Sequence, residues 1–199
     1  MMRYAEFLER AHFTHEELIA HAHGTLLEDP PHAELGRLPA PPFLMFHRVT
    51  QLERRGSQGR ILAEQDIALD AWYFQCHFRG DPVQPGCLGL DAVWQLIGFY
   101  SLANGAIGSG RALGCDQVEF LGQIRPHNKL VSYDINIRRL QILKASGSAI
   151  ALGDAKVLVD GEVIYNIKGA RVGCFTDIAY TNYPSADHKH AKGGLMQRS

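Results

Sequence analysis

Residues 76–95 read CHFRGDPVQPGCLGLDAVWQ, and the change of character halfway along this stretch decides how the chain folds. Its first half sets His77 among Gly80, Pro82, Pro85 and Gly86, which is the chemistry of a loop. Its second half opens a segment, Cys87 to Ala103, whose Leu88, Leu90, Val93, Trp94, Leu96, Ile97, Phe99, Tyr100 and Leu102 leave almost no polar face. A helix apolar on every side is either buried in protein or spans a membrane. Gly89, Asp91, Gln95 and Gly98 interrupt this one, and no apolar run reaches the roughly 18 residues of a span. The spacing therefore predicts a central helix buried against a sheet and ended by Asn104-Gly105.

Upstream, residues 1–12 form a short helix with Tyr4, Phe7 and Leu8 on one side. Thr14-His15-Glu16-Glu17 has the hydroxyl and the carboxylate of a capping box, and Gly24 supplies the stop of the helix it opens. His21 and His23 diverge on that helix and make a poor metal pair. The proline-rich run 25–42 reads as an extended arm. Phe43–Leu52 and Gly59–Ile67 are predicted strands around a polar turn, Glu53 to Gln58. Downstream come four more strands, Arg111–Phe120, Lys129–Gln141, Ser148–Val159 and Val163–Phe175, the last two joined by the hairpin pair Asp160-Gly161. Hairpin-joined strands make an antiparallel sheet, so the class is α+β, a twisted antiparallel sheet wrapped around one long helix. Residues 1–175 are expected to form one domain with an N-terminal helical arm. Residues 176–199 are expected to be a flexible polar tail, in which His188-Lys189-His190 is a weak metal candidate.

Composition narrows the function by exclusion. The chain has 199 residues, 46% hydrophobic and 21% charged, with a formal net charge of −1. That balance gives no general attraction to nucleic acid or to an anionic membrane. The opening MMRYAEFLER is too charged for the apolar core of a secretion signal. Cys76, Cys87, Cys115 and Cys174 form no CxxC pair, which leaves free thiols in a reducing cytoplasm as the expectation. There is no GxSxG elbow, GxGxxG or phosphate loop, so neither cofactor nor metal is expected.

The chemistry concentrates in residues 76–95. An imidazole, His77, among Tyr73, Phe74, Cys76 and Phe78 is held neutral by apolar surroundings and able to accept a proton. The same ring could instead be a core histidine satisfied by a backbone carbonyl. Asp91 is a carboxylate on an apolar helix, costly there unless neutral, paired or solvated in a cavity. Gln95, one turn later, can hold it. A structural polar contact at a helix or subunit interface is the competing account of Asp91. Pro85-Gly86 precede the helix, so N–H groups near Gly86 and Cys87 point out of its N-terminus, where an oxygen gaining negative charge can be held. Together these groups suit β-elimination of water from a 3-hydroxyacyl compound. A thiol nucleophile fits less well. If Cys76 and His77 lie on a strand their side chains point to opposite faces, whereas Cys87 at the helix N-terminus stays open as a covalent candidate.

The run from Cys76 to Tyr100 resembles the bacterial β-hydroxydecanoyl-acyl-carrier-protein dehydratase/isomerase family. So do Leu38-Pro39-Ala40-Pro41 with Leu44-Met45, Trp72-Tyr73-Phe74, Gly110-Arg111-Ala112-Leu113-Gly114, and Asp160-Gly161 leading to Ile164-Tyr165. The resemblance implies a hot-dog fold and a homodimer whose two sites are shared between subunits. It places the catalytic histidine at His77 and the acid at Asp91, the thioester-binding N–H at Gly86, the acid-orienting amide at Gln95 and the histidine-orienting carbonyl near Val83. Cys87 adjoins them. The substrate it implies is a medium-length 3-hydroxyacyl chain of about ten carbons on an acyl carrier protein, and the aspartate favours the branch that also isomerises trans-2 to cis-3 double bonds. This chain departs from the pattern with Gln75 for a small residue, Gln84 for methionine and Glu119 for lysine. The last weakens a basic docking patch, which Arg125, Lys129, Arg138, Arg139 and Arg171 are expected to supply unless they form a solvated strand face.

Overall fold

The computed structural model describes residues 1–31 and 35–176, so the expected tail, with its His188 and His190, lies outside the described residues apart from Thr176. Helix α1 (Tyr4–Glu9) and helix α2 (His15–His23) come first. Strands β1 (Arg48–Arg55) and β2 (Gln58–Asp66), the short helix α3 (Trp72–Cys76) and the long helix α4 (Gly86–Leu102) follow. Strands β3 (Ser109–Gly114), β4 (Gln117–Phe120), β5 (Leu130–Ile142), β6 (Ala149–Val159) and β7 (Glu162–Phe175) complete the order. The capping box at Thr14 forms as its sequence predicts, and Gly24 ends α2 in the left-handed conformation at φ 73°.

All strand pairs are antiparallel, in the order β1-β2-β5-β6-β7-β3, with β4 also on β7. Alternation along β5 buries Val131, Tyr133, Ile135 and Ile137, and along β2 it buries Ile61, Ala63 and Gln65. Those faces all look at α4, which packs against β2, β5, β6, β7 and β3. Five flat neighbouring strands would span about 19 Å at the usual strand spacing. That is wider than a helix of about 10 Å diameter can cover, so the sheet curls around α4. Strand β6 makes room with Ala149, Ala151, Gly153 and Ala155 on its inner face, which lets the helix approach. At the other end of α4, Phe99 makes T-shaped pairs with Phe7 and Phe13 from the N-terminal segment, ring centroids 5.9 and 4.9 Å away.

Two sequence expectations need correction. The strand predicted from Phe43 begins only at Arg48, because the backbone groups of Phe43 and Met45 are taken by the side chains of Gln95 and Tyr133 instead of a ladder. The strand predicted over Arg111–Phe120 is two. Gly114, at φ 126°, ends β3, and Asp116 turns to pair with Arg171 before β4 resumes on the same neighbour β7. The Asp160-Gly161 turn is as expected, both residues having positive φ, 49° and 93°.

Candidate active site

Helix α3 ends at His77, whose N–H still bonds Tyr73 O at 2.9 Å. The loop that follows closes on itself. Phe78 and Asp81 exchange backbone hydrogen bonds of 2.9 and 3.0 Å, and Val83 N–H donates to His77 O at 2.8 Å. The side chain completes the closure, with His77 Nδ1 3.0 Å from Val83 O. A carbonyl can only accept, so Nδ1 carries the hydrogen, and it is Nε2 that a neutral ring leaves free to accept. Arg125 braces the loop from outside through Asp81 and through Pro82 O at 3.2 Å. Val83 O is thus the carbonyl within hydrogen-bond reach of the imidazole. The ring is half-buried, with Phe78 against it at 3.9 Å between centroids.

Helix α4 starts with Pro85 as its cap residue and no side chain capping it. The first N–H groups of a helix have no partner inside it, so those of Gly86 and Cys87 face outward at the positive end of the helix dipole. A side chain at Gly86 would come within 2.9 Å of the Phe120 ring, which explains the glycine. His77, Val83, Gln84, Gly86 and Cys87 line a cavity of about 850 Å³, walled opposite by Val118, Phe120, the 121–123 segment and Tyr165. An imidazole and an uncapped helix N-terminus therefore share one concave, mostly apolar space.

Asp91 does not line the cavity, although its neighbour Leu90 does. Its Oδ2 accepts from Gln95 Nε2 at 2.6 Å. The Gln95 amide is committed on every side: Nε2 also donates to Phe43 O at 2.9 Å, and Oε1 accepts from Met45 N–H at 3.1 Å. Oδ1 of Asp91 is left for other work. Within one chain no hydrogen bond or ion pair joins His77 to Asp91 among the described residues. Because Gln95 is buried and satisfies two backbone groups as well as the carboxylate, Gln95→Leu strands all three. We expect a loss of about 2 kcal/mol in unfolding free energy, measured as a lowered urea midpoint at unchanged slope.

The structure corrects other readings of the region. Cys76 closes a helix rather than a strand, and its exposed thiol turns back on Trp72 O and Tyr73 O at 3.6 and 3.7 Å, so it has no part in the cavity. Cys87 is exposed and lines the cavity; all four cysteines are free. The basic patch expected from the strand arginines is largely neutralised, since Arg125 pairs with Asp81, Arg138 with Asp154 and Arg171 with Asp116. One feature escaped the sequence reading altogether. Gln84 is 1% exposed, and neither its Nε2 nor its Oε1 has a hydrogen-bond partner among the described residues. An unmatched buried amide costs about 1–3 kcal/mol per group. The one signal in the sequence was the resemblance, which has methionine, an apolar side chain, where this chain has Gln84.

A curled antiparallel sheet around one long helix, with its polar groups gathered at the helix N-terminus, is the hot-dog fold. The chain belongs to the FabA-like family: a family model described as the FabA-like domain matches residues 38–168. Solved structures similar to it include three at low identity. AziG of S. sahachiroi is 12% identical, with TM-score 0.42, over 63% of this chain and 90% of that one. The dehydratase heterocomplex ApeI:P of Xenorhabdus doucetiae is 14% identical, with TM-score 0.47, over 68% and 84%. The phenylacetic acid degradation protein PaaI of Thermus thermophilus is 12% identical, with TM-score 0.42, over 64% and 90%. Among the described residues, no helix is long and apolar enough to cross a membrane.

Proposed function

We propose that the chain dehydrates 3-hydroxyacyl thioesters to trans-2-enoyl products and isomerises these to the cis-3 form, working as a homodimer on chains delivered by an acyl carrier protein. The observation that carries this reading is the contact of His77 Nδ1 with Val83 O, which leaves Nε2 as the uncommitted nitrogen of a ring that lines the same cavity as Gly86. In the proposed reaction Nε2 takes a proton from C2 of the substrate. The Gly86 N–H holds the thioester oxygen as it gains charge. The carboxyl of Asp91, fixed through Oδ2 by Gln95, gives a proton from Oδ1 to the 3-hydroxyl, which leaves as water while the C2–C3 double bond forms. Isomerisation uses the same two groups, one removing a proton from C4 and the other returning one to C2.

Asp91 reaches the substrate from a second copy of the chain. Two observations support this: Asp91 is absent from the cavity of its own chain, and the cavity rim is apolar and open. Phe78, Phe120 and Leu121 are 55%, 54% and 58% exposed, too much clustered apolar surface to be left to water. Incubation with a 3-hydroxydecanoyl pantetheine thioester, with the products resolved by gas chromatography, is expected to give both trans-2 and cis-3 decenoyl isomers. The trans-2 product alone would establish a dehydratase without isomerisation. Release of free thiol with no enoyl product would overturn the reading in favour of a thioesterase.

A further inference from the structure

Gln84 sits at the narrowest part of the sequence between base and helix: the residue before it holds His77, and the second residue after it is Gly86. Its backbone is fixed by donation to Ile124 O at 3.0 Å, and its side chain is buried rather than turned to solvent. It lines the same cavity as His77, is 1% exposed, and presents both a donor and an acceptor without a partner. Of the polar side chains on that wall, Gln123 is exposed and occupied by Arg125, its Oε1 accepting from Nε at 2.9 Å. Gln84 is thus the only buried carboxamide of the cavity left unmatched among the described residues.

What could match it follows from its chemistry. A methylene chain leaves both groups unpaired, and a ketone answers only the donor. A hydroxyl both accepts and donates, so one hydroxyl can satisfy Nε2 and Oε1 together. An acyl thioester with its carbonyl at Gly86 and C2 at His77 occupies the cavity whose wall includes Gln84. We propose that Gln84 is a specificity-determining residue that selects acyl thioesters bearing a second hydroxyl on the chain beyond C3. This rests on the thioester-dehydratase reading above and narrows its substrate class from plain to oxygenated chains.

The test compares pantetheine thioesters of one chain length: the 3-hydroxyacyl compound and its 3,5-, 3,6- and 3,7-dihydroxy isomers. At least one dihydroxy isomer is expected to exceed the plain chain about 10- to 100-fold in kcat/KM, the range for leaving buried hydrogen-bonding groups unmatched. Gln84→Met, of similar length and shape but without the amide, is expected to abolish that preference and to raise Tm. The proposal is overturned if no dihydroxy isomer is preferred, if Gln84→Met keeps the preference, or if its Tm falls with selectivity unchanged, which marks the amide as purely structural. Calorimetric binding of the same thioesters to His77→Ala, with and without Gln84→Met, reads the preference without turnover. Selective binding without dehydration by the parent protein would therefore sink the reaction and leave the role of Gln84 standing.

Discussion

Mixing two inactive proteins, His77→Ala and Asp91→Asn, is expected to restore about a quarter of parental dehydration. Each variant alone should have lost about a thousandfold in kcat/KM, the usual contribution of a positioned acid or base. The reasoning is geometric. Val83 O and the cavity hold His77, whereas Asp91 lies outside that cavity and is tied by Gln95 to Phe43 and Met45. If each site draws its base from one copy and its acid from the other, a mixed dimer has one site with both lesions and one with neither. Free exchange of subunits makes about half of all dimers mixed, and a two-fold assembly has two equivalent sites, hence about a quarter of the sites intact. Refolding the variants together and assaying the hydration of a trans-2-enoyl thioester checks it. A mixture no more active than its parents, from proteins with unaltered Tm, would show that the two residues do not meet across a dimer.

The second large effect concerns stability. His21 is 3% exposed, stacked on Phe7 at 5.7 Å and T-shaped to Phe99 at 5.2 Å. Its Nδ1 accepts from Leu38 N–H at 3.4 Å, and its Nε2 has no partner. Burial, and then the nearby Arg37, pull the imidazole from its ordinary 6.5 down to about 4. The folded protein therefore keeps the ring neutral while the unfolded chain takes up a proton near pH 6.5. Stability from this group is complete above about pH 6.5 and is lost as pH falls towards about 4, by roughly 3 kcal/mol in all. His47, held low first by burial and next by His15, acts in the same direction. Asp66 and Asp160, held low chiefly by hydrogen bonds from Arg48 and Asn128, lose their contributions only at more acid pH. Urea unfolding between pH 7 and pH 4.5 should show the decline, and His21→Phe should flatten most of it. An unchanged slope in that variant would place the acid sensitivity elsewhere.

The central helix and the hairpin at Asp160-Gly161 were legible because their signals are local: a segment apolar on nearly every side, and two residues suited to positive φ. The beginning of β1 and the break between β3 and β4 were not, since each depends on a side chain distant in sequence. Gln95 and Tyr133 take the backbone groups of Phe43 and Met45, and Asp116 reaches Arg171. The site divides in the same way. His77, Val83 and Gly86 lie within ten residues and come together through a short loop, so their grouping could be foreseen. The isolation of Gln84 is a property of the surrounding wall, built from β4, the 121–123 segment and Tyr165, and no pattern around residue 84 encodes it. The arginines show the limit for charge: counted along the sequence they suggested a patch, but three have carboxylate partners that only the folded chain brings beside them.

The loop that closes between His77 and Val83 separates two requirements that enzymes often fulfil together. Backbone and side-chain bonds shut that loop within one chain, so the imidazole is aimed before any partner arrives. On the two-copy reading, association has only to deliver the acid. Dilution to single chains would then uncouple the halves of the reaction: the thioester could still exchange its C2 hydrogens with solvent at His77, but the hydroxyl would stay in place.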